Sequence, residues 1–280
     1  MIELRDLTKK FGDFTAVDRL SLTIETGEFF GLLGPNGAGK TTTISMLSTV
    51  LLPTSGEIFM DGQKLDRGAA ALKRKLSVIT QEFSMRQDMT MDEVMEYQGR
   101  LYYMPGKAIK QKTQELFEFA GLQDFHKRIV RHLSGGMKRK LMICRALMTD
   151  PEVLLLDEPT AGMDAVARRQ MWNMLRQLHS NGITILLTTH YIDEAQNLCD
   201  RVALINEGRL DAIDSPEALI GALGRFAVDT TAEDMLKSRY FHDRDEAIAY
   251  LSEAGHDASM RATTLEDVFV DRVGRGLEKK

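Results

Sequence analysis

One glycine-rich segment has the residue types and the spacing needed to bind phosphate. The sequence GPNGAGKT, residues 34–41, fits the pattern GxxxxGK[ST] and lies between the apolar run FFGLLG and a helix-like segment. Glycines let the backbone curl so that its N–H groups point inward, and the following helix adds its positive N-terminal end. A glycine-rich surface turn is the alternative, but it does not account for the strand and helix on either side. The predicted phosphate-binding residues are Gly34, Pro35, Asn36, Gly37, Ala38, Gly39, Lys40, Thr41 and Thr42.

Two acidic residues stand directly after a second apolar run. In VLLLDEP, the apolar residues predict a buried strand with Asp157 at its carboxyl end, where open α/β sheets bind ligands. Asp157 is suited to hold Mg²⁺, through water, because magnesium keeps part of its hydration shell. Glu158 can act on an attacking water as a general base. The alternative is a solvated strand end, which the phosphate-binding segment makes the weaker explanation.

A second helix start also has the features of an anion site. In HLSGGMKRKLMICRALM, Ser134 takes the N-cap position and is followed by Gly135, Gly136 and a helical run. One chain has one phosphate-binding loop, so a second anion site has no phosphate of its own to hold. We therefore expect this helix start to face the phosphate-binding loop of another subunit.

The composition excludes several classes of protein. The chain has 280 residues, of which 43% are hydrophobic, enough for one large domain with an appendage. Its net charge is −5, so no overall basic field favours nucleic acid or an anionic membrane. Cys144 and Cys199 are far apart, form no zinc or disulfide motif and fit a reducing cytosol. The N-terminus does not read as a signal peptide, and no run of about 18 apolar residues would span a bilayer.

Short apolar runs alternate with helix-like segments along the chain. The runs SLTIE, FFGLLG, LSVIT, VLLLD, ITILLTTH and VALINEG are mostly non-alternating, which is typical of strands covered on both faces. The segments TTTISMLSTVL and AVARRQMWNMLRQLHSNG predict helices between such strands. This order indicates an α/β fold with a mainly parallel sheet.

Two regions depart from this alternation. Residues 82–150 predict helices, including MDEVMEYQGRLYYM, and we interpret them as an all-helical insert in a main domain of residues 1–215. Residues 216–280 predict strand, helix, strand and helix, a small α+β extension. The extension is either a stabilising appendage or a dimer-contacting, regulatory module.

The order of the motifs resembles that of the nucleotide-binding subunits of ATP-binding-cassette (ABC) transporters. The matching elements are GPNGAGKT, Gln81, LSGGM, VLLLDEP, AGMD and His190, over roughly residues 1–215. The LSGG element after an all-helical insert is the most specific of them. The sequence LSGGMKRKLMICRALM, with TILLTTHYIDEA and TLEDVFV later in the chain, is similar to the sequences of the branch that serves ABC-2-type exporters. The resemblance implies a P-loop NTPase cassette with a RecA-like, mainly parallel sheet core, an antiparallel β subdomain, the helical insert and the C-terminal extension.

The resemblance implies a role for each matching residue. Two subunits would form a head-to-tail homodimer around two ATP molecules, with Mg²⁺ at each site. One subunit's loop would hold the phosphates, and Ser134, Gly135 and Gly136 of the other would close over the γ-phosphate. The remaining implied roles start with adenine stacking by Phe11, phosphate binding by Lys40, and Mg²⁺ binding by Thr41 and Asp157. Gln81 would be a catalytic-site residue that senses Mg²⁺ and the attacking water and links the site to the membrane partner. Glu158 would be the catalytic base, His190 would contact the γ-phosphate and orient the water, and Asp164 would contact the other subunit.

Some of these assignments have alternatives or depart from the family pattern. Phe11 could instead be a core residue at a strand end, and His190 could be structural. Met137 replaces the glutamine of the common LSGGQ form and cannot donate its hydrogen bonds. This leaves the hydroxyl and backbone contacts of the motif intact. The AGMD element differs from the common SALD form but keeps its aspartate, Asp164.

The resemblance also implies a membrane partner. ABC-2-type subunits pair with a permease that exports drugs, lipids or polysaccharides, so the chain is expected on the cytoplasmic face of the inner (plasma) membrane, peripheral through that permease. Phe83, Ser84 and Met85 are the expected permease contacts, whereas Met91 and Met95 are expected in the insert's own core.

Two rival functions stay open from the sequence. A soluble ABC-type ATPase of DNA repair, chromosome folding or translation usually carries two cassettes, coiled-coil arms, zinc cysteines or basic tails, and none of these features is present in the sequence. A clamp that binds ATP without cleaving it is disfavoured by the presence of both Glu158 and His190.

Overall fold

The computed structural model describes residues 1–83, 85–232, 235–254 and 257–277. Its strands are β1 (Ile2–Phe11), β2 (Phe14–Ile24), β3 (Phe29–Leu33), β4 (Ser55–Met60), β5 (Gln63–Lys64), β6 (Leu76–Ile79), β7 (Val153–Asp157), β8 (Thr184–Thr189), β9 (Arg201–Asn206), β10 (Arg209–Asp214), β11 (Phe226–Ala232), β12 (Met235–Phe241) and β13 (Ser259–Ala262). Its α-helices are α1 (Lys40–Leu47), α2 (Ala70–Arg74), α3 (Met91–Leu101), α4 (Gly106–Ala120), α5 (Gly135–Leu147), α6 (Ala165–Ser180), α7 (Ile192–Leu198), α8 (Pro216–Leu223), α9 (Arg244–Ala254) and α10 (Leu265–Leu277). Within these described ranges, we find no helix with the length and apolar character that crossing a bilayer requires.

A six-stranded sheet in the order β10-β9-β3-β8-β7-β6 forms the centre of the fold. Neighbouring strands from β9 to β6 are parallel, and β10 at one edge is antiparallel to β9. Alternate residues of β7 enter different cores: Leu154 and Leu156 pack with the helices of the insert, and Val153 and Leu155 pack with the outer sheet and α1. Burial on both faces explains the non-alternating apolar runs and confirms the predicted α/β fold.

A four-stranded antiparallel sheet, β2-β1-β4-β5, packs beside the central sheet. Its inner residues Ile2, Leu4 and Leu22 share one core with Phe30 and Leu155 of the central strands. This is the predicted antiparallel β subdomain. The run SLTIE lies here, in β2, where buried and more accessible residues alternate as in a strand covered on one face.

In chain order, the helices α3, α4 and α5 follow β6 and precede β7, where the all-helical insert was predicted. The two strands themselves are parallel neighbours in the sheet. A capping box starts α3, in which Thr90 Oγ1 accepts from the N–H of Glu93 and the N–H of Thr90 donates to Glu93 Oε2. Met91 and Met95 are fully buried, so the expectation that they form core rather than partner surface is confirmed.

The C-terminal extension contains one more helix, α8, and one more strand, β12, than expected. β11, β12 and β13 form an antiparallel sheet in the order β12-β11-β13, and α9 packs against it. The expected order of strand, helix, strand and helix is therefore wrong at β12, which pairs with β11 as a hairpin. Its sequence, MLKSRYF, mixes charged, polar and apolar residues, so a search for apolar runs does not find it.

The last helix ties the extension to the main domain. α10 packs against α7 and α8, and Leu265 and Val268 are buried in the same core as the central strands. The N–H of Leu265 also donates to Oε1 of Gln196 on α7, at 2.9 Å. These contacts favour a stabilising role for the extension, and a dimer-contacting or regulatory role stays a prediction.

We expect Leu265→Ala to lower the free energy of unfolding by about 2–5 kcal/mol, because it leaves a cavity where α10 meets α7. The measurement is urea unfolding followed by circular dichroism. The matched control is Val270→Ala on the same helix, where the side chain is 58% exposed. It should change the unfolding free energy by less than about 0.5 kcal/mol. Equal effects of the two substitutions would show that α10 does not hold the extension in place.

Candidate active site

The glycine-rich loop joins β3 to α1 in a conformation that only glycine tolerates at two points. Gly39 has φ +103°, and a Cβ there would lie 2.5 Å from the carbonyl oxygen of Ala16. At Gly34, a Cβ would lie 2.4 Å from the carbonyl oxygen of Ile205. The loop therefore keeps bare backbone around the N-terminus of α1, as a phosphate cradle requires.

Lys40, the first residue of α1, is buried inside this loop. Its Nζ donates to the carbonyl oxygens of Gly34 (2.8 Å) and Pro35 (3.1 Å) and lies 3.6 Å from Glu158 Oε1. Burial lowers the pKa of Lys40, and the charge of Glu158 opposes that shift. A buried ammonium held by carbonyl oxygens can exchange them for the more negative oxygens of a phosphate, so the loop fits a nucleotide.

Asp157 and Thr41 meet at the end of β7. The hydroxyls of Thr41 and Thr188 both donate to Asp157 Oδ1, at 3.1 and 2.6 Å. A buried carboxylate beside a hydroxyl offers the hard oxygen ligands that Mg²⁺ prefers. Among the described residues, no group of three acidic, histidine or cysteine side chains forms a complete metal site. Phosphate oxygens and water would therefore supply the other ligands.

Glu158 has an uncommon backbone conformation, with φ +47°. A non-glycine residue in this region costs about 1–3 kcal/mol, which the surroundings must offset. The N–H of Glu158 donates to the carbonyl oxygen (3.0 Å) and hydroxyl (3.2 Å) of Thr188. The turn holds the buried carboxylate between Lys40 and His190, where a general base would be placed.

His190 follows β8 and lies next to Glu158. Its Nδ1 is 3.1 Å from Glu158 Oε1, close enough for an ion pair but not aligned for a hydrogen bond. Within the described part of the chain, this buried nitrogen has no hydrogen-bond partner. The ring packs on Tyr191, with centroids 4.1 Å apart. The His190 side chain as a whole is 35% exposed beside the carboxylate, so the ring can reach a ligand's phosphate or water, as the functional interpretation requires.

Arg139, on α5, is a site residue that sequence reasoning missed. It is 2% exposed, and its guanidinium donates to the carbonyl oxygens of Thr80 (2.7 Å), Gln81 (3.1 Å) and Glu158 (3.3 Å). Gln81 itself is exposed at the same edge of the sheet. The available sequence signal was helical spacing, since Arg139 precedes the buried Ile143 by four residues and so shares its face.

The second anion-binding helix start lies on the surface. Ser134 caps α5 with its own hydroxyl, and Ser134 and Gly135 are exposed. A Cβ on Gly136 would lie 3.5 Å from the Cβ of Ala167, which puts the start of α5 beside the start of α6. Asp164, exposed, caps α6 by accepting from two backbone N–H groups. The motif residues expected to face another subunit are thus adjacent and accessible.

Phe11 lies at the end of β1 and is 50% exposed. Lys9 Nζ is 5.1 Å from the centre of its ring. The alternative of a core phenylalanine is therefore wrong, and the accessible ring face is compatible with stacking on a base.

The expected permease contacts differ in accessibility. Phe83 is 41% exposed, with its ring centre 5.3 Å from the Arg139 guanidinium carbon. Met85 is only 8% exposed and packs in the core of the insert. The expectation that Met85 lines a partner groove is wrong, because the chain has turned inward there ahead of α3. Ser84 lies outside the described residues.

Glu194, on α7, is a second buried charged residue that the sequence did not reveal. It is fully buried, and its Oε1 accepts from the Thr160 hydroxyl (2.9 Å) and from Trp172 Nε1 (3.1 Å). Its Oε2 has no hydrogen-bond partner in the described part of the molecule. Burial raises the pKa of this carboxyl. An acidic residue in a first helical turn ordinarily faces solvent, so its position gave no signal.

Comparisons with known sequences agree with the site. The profile of the family described as "ABC transporter" matches residues 17–161. Nod factor export ATP-binding protein I of Burkholderia lata is 39% identical over 298 residues, 99% of this chain and 98% of that protein. The probable multidrug ABC transporter ATP-binding protein YbhF of Escherichia coli is 37% identical over 219 residues, 78% of this chain and 38% of that protein.

Solved structures share the fold. A dimeric post-hydrolysis state of the ATP-binding cassette MJ0796 with ADP and Pi is 28% identical, with a TM-score of 0.69 over 77% of this chain and 98% of that one. An ATP binding subunit of an ABC transporter is 26% identical, with a TM-score of 0.70 over 78% of this chain and 91% of that one. These similarities confirm the predicted cassette fold.

The buried Glu194 generates a pH prediction. Because its pKa is raised above the ordinary value of 4.5, the folded state binds a proton that the unfolded state releases as pH rises past 4.5. This contribution to stability is present below 4.5 and is lost as pH rises toward the folded-state pKa. Glu194→Gln removes the titration, so its stability relative to the wild type should rise with pH.

The measurement is the unfolding free energy in urea between pH 4.5 and 8, a range set by the ordinary pKa of glutamate at its lower end. The control is Glu253→Gln at an exposed position on α9, where the same substitution removes no buried carboxyl. A constant difference for Glu194→Gln across the range would show that Glu194 is ionised in the folded protein.

Proposed function

This chain belongs to the ABC transporter family, and we propose that within it the protein is the ATP-hydrolysing subunit of an exporter, coupled to a separate ABC-2-type membrane permease. The observation that carries the proposal is the presence, in one chain, of two complementary half-sites. One is the phosphate loop with Lys40, Glu158 and His190 at its edge. The other is the exposed, capped helix start at residues 134–136.

A head-to-tail homodimer satisfies both half-sites. The start of α5 carries a partial positive charge and free backbone N–H groups, which suit the γ-phosphate of a nucleotide held by another copy. A two-fold axis makes the contact reciprocal, so two ATP molecules are enclosed. Asp164 lies next to this helix start and would contact the partner. The MJ0796 cassette, 28% identical to this chain, is described as dimeric with ADP and Pi, which supports the arrangement.

The residues at the strand ends supply the chemistry. Lys40 would leave the carbonyl oxygens of Gly34 and Pro35 for the phosphate oxygens, with no loss of its positive charge. Glu158 would accept a proton from the attacking water, and the partly exposed ring of His190 beside it would hold that water or the γ-phosphate in line. When bound by Thr41, Asp157 and Gln81, Mg²⁺ would neutralise charge on the phosphates.

Bound ATP would hold the two subunits together. Its phosphates join the loop of one chain to the α5 helix start of the other, and Phe11 would stack on the adenine. Cleavage removes the bridging γ-phosphate and so weakens the dimer. The resulting cycle of closing and opening would drive the permease.

The permease would bind apolar groups exposed on or beside the helical insert. Phe83 lies two residues after Gln81 in the loop, and Leu101, Tyr102 and Tyr103 are exposed at the end of α3, where they line one pocket. Exposed aromatic residues of this kind are enriched at protein interfaces. The protein would then be peripheral on the cytoplasmic face of the membrane. Two of its relatives are named for Nod factor export and for multidrug transport, and the cargo here would be selected by the permease.

We expect Glu158→Gln to lower ATP turnover by about 10²-fold or more, because the amide cannot accept the proton. ATP binding should persist, so the variant should accumulate as an ATP-bound dimer in size-exclusion chromatography. Glu152→Gln, an exposed glutamate just before β7, is the matched control and should turn over ATP normally. Adding Ser134→Trp to Glu158→Gln should abolish the dimer. Wild-type turnover by Glu158→Gln would reject Glu158 as the base.

The permease contact is tested by crosslinking from Phe83→Cys in membranes. Both natural cysteines are buried, and burial raises the pKa of Cys144 to about 12, so the new thiol is the reactive one. We expect a bifunctional thiol reagent to join this variant to a membrane protein. Met85→Cys is the control, since that position is buried and should give no product. Equal yields, or no product from Phe83→Cys, would remove this loop from the interface.

A further inference from the structure

One buried arginine joins three segments that the proposed function assigns to different tasks. The guanidinium of Arg139 donates from Nη1 to the carbonyl oxygen of Thr80, and from Nη2 to those of Gln81 and Glu158. The first two carbonyls belong to the loop that leads to the permease contact. The third belongs to the proposed base, and Arg139 itself lies on the helix that starts at Ser134.

The topology explains why three carbonyl oxygens meet at this point. β6 and β7 are adjacent parallel strands, and Thr80, Gln81 and Glu158 directly follow their carboxyl ends. Past a strand end, the carbonyl groups have no ladder partner, and buried carbonyls need a donor from elsewhere. The planar fork of an arginine can serve several acceptors at once, which a lysine ammonium cannot do with the same geometry.

Arg139 makes these bonds instead of an ion pair. None of the ion pairs formed by the described residues includes Arg139. Burial lowers the pKa of Arg139, opposed by the charges of Asp157 and Glu194, and a guanidinium stays protonated in proteins. A buried cation is costly unless it is hydrogen-bonded, so separating α5 from either loop would leave the charge uncompensated.

The backbone of Glu158 is the part of the site that most needs such support. Its φ of +47° is strained, and its N–H is already held by Thr188 on β8. The bond from Arg139 holds its carbonyl oxygen on the other side. The two contacts together fix the turn that aims the carboxylate.

We propose that Arg139 is a positioning residue for ATP hydrolysis, which couples the α5 helix start to the Gln81 loop and to the Glu158 turn of the same chain. Arg139 lies five residues after Ser134, about 7.5 Å along the helix axis. A shift of α5 when it closes on the partner subunit's nucleotide therefore moves the base of this subunit's own site. The ring of Phe83 lies over the same guanidinium, so a permease bound there would act on the same junction.

The proposal rests on the proposed function and is tested on the full-length protein with ATP. We expect Arg139→Met to lower kcat by about tenfold or more while the Kd for ATP changes by less than about threefold, because Lys40 and the phosphate loop are untouched. Arg139→Lys keeps the charge but loses the fork, so its kcat should lie between those of Arg139→Met and the wild type. In the Glu158→Gln background, Arg139→Met should still allow the ATP-bound dimer to form.

Lys140→Met is the matched control. Lys140 is the next residue on α5, and its Nζ donates to the carbonyl oxygen of Ala120 within the insert. Its loss should leave kcat within about twofold of the wild type, whatever its effect on Tm. Wild-type kcat in Arg139→Met overturns the inference, as does a loss of kcat in both variants that follows the loss of Tm. If Arg139→Met does not fold, Arg139→Lys decides, and an unchanged kcat overturns the inference.

Failure of the proposed function gives a different result. If the wild-type protein does not hydrolyse ATP, or if Glu158→Gln does not form an ATP-bound dimer, the proposed function fails. If both behave as expected and Arg139→Met retains full kcat, only the positioning role of Arg139 is lost.

Discussion

A buried lysine and a buried glutamate, 3.6 Å apart, are the interaction on which the site depends. Lys40 follows β3 and Glu158 follows β7, two strands with β8 between them in the sheet. Their attraction is roughly 4 kcal/mol at an effective dielectric constant of 20, which does not by itself offset the desolvation of two ions. The lysine is therefore also held by two carbonyl oxygens of its loop. A ligand rich in negative oxygens can replace those bonds, which makes the resting site ready for phosphate.

The parallel sheet fixes the rest of the site around this pair. Because parallel strands end at one edge, the residues after β3, β6, β7 and β8 converge there. β8 lies between β3, which leads to Lys40, and β7, which leads to Glu158. His190 directly follows β8 and therefore lies beside Glu158. The insert between β6 and β7 carries α5 back to the same edge, and Arg139 joins it to two strand ends. The helix start at Ser134 remains exposed, about 7.5 Å along the helix axis from a buried junction.

Much of this architecture was predictable from sequence because glycine spacing, buried strands and helix caps have local causes. GPNGAGKT, VLLLDEP and LSGGM each combine a conformational need with a chemical one, and Lys40, Asp157 and Ser134 were placed correctly at a strand end or helix start. Arg139 and Glu194 were missed because their roles come from tertiary burial, and surface solvation is the ordinary expectation for both residue types. Met85 was misjudged for the converse reason, since a methionine suits a partner groove and a core equally.

The docking of α10 on α7 has a consequence for how chains of this type diversify. Leu265 and Val268 lie in the same apolar core as the central strands, and α7 begins two residues after His190. An extension bonded in this way is not an interchangeable module. Substitutions in α7 and in α10 must compensate each other, so we expect the two helices to co-evolve as one unit.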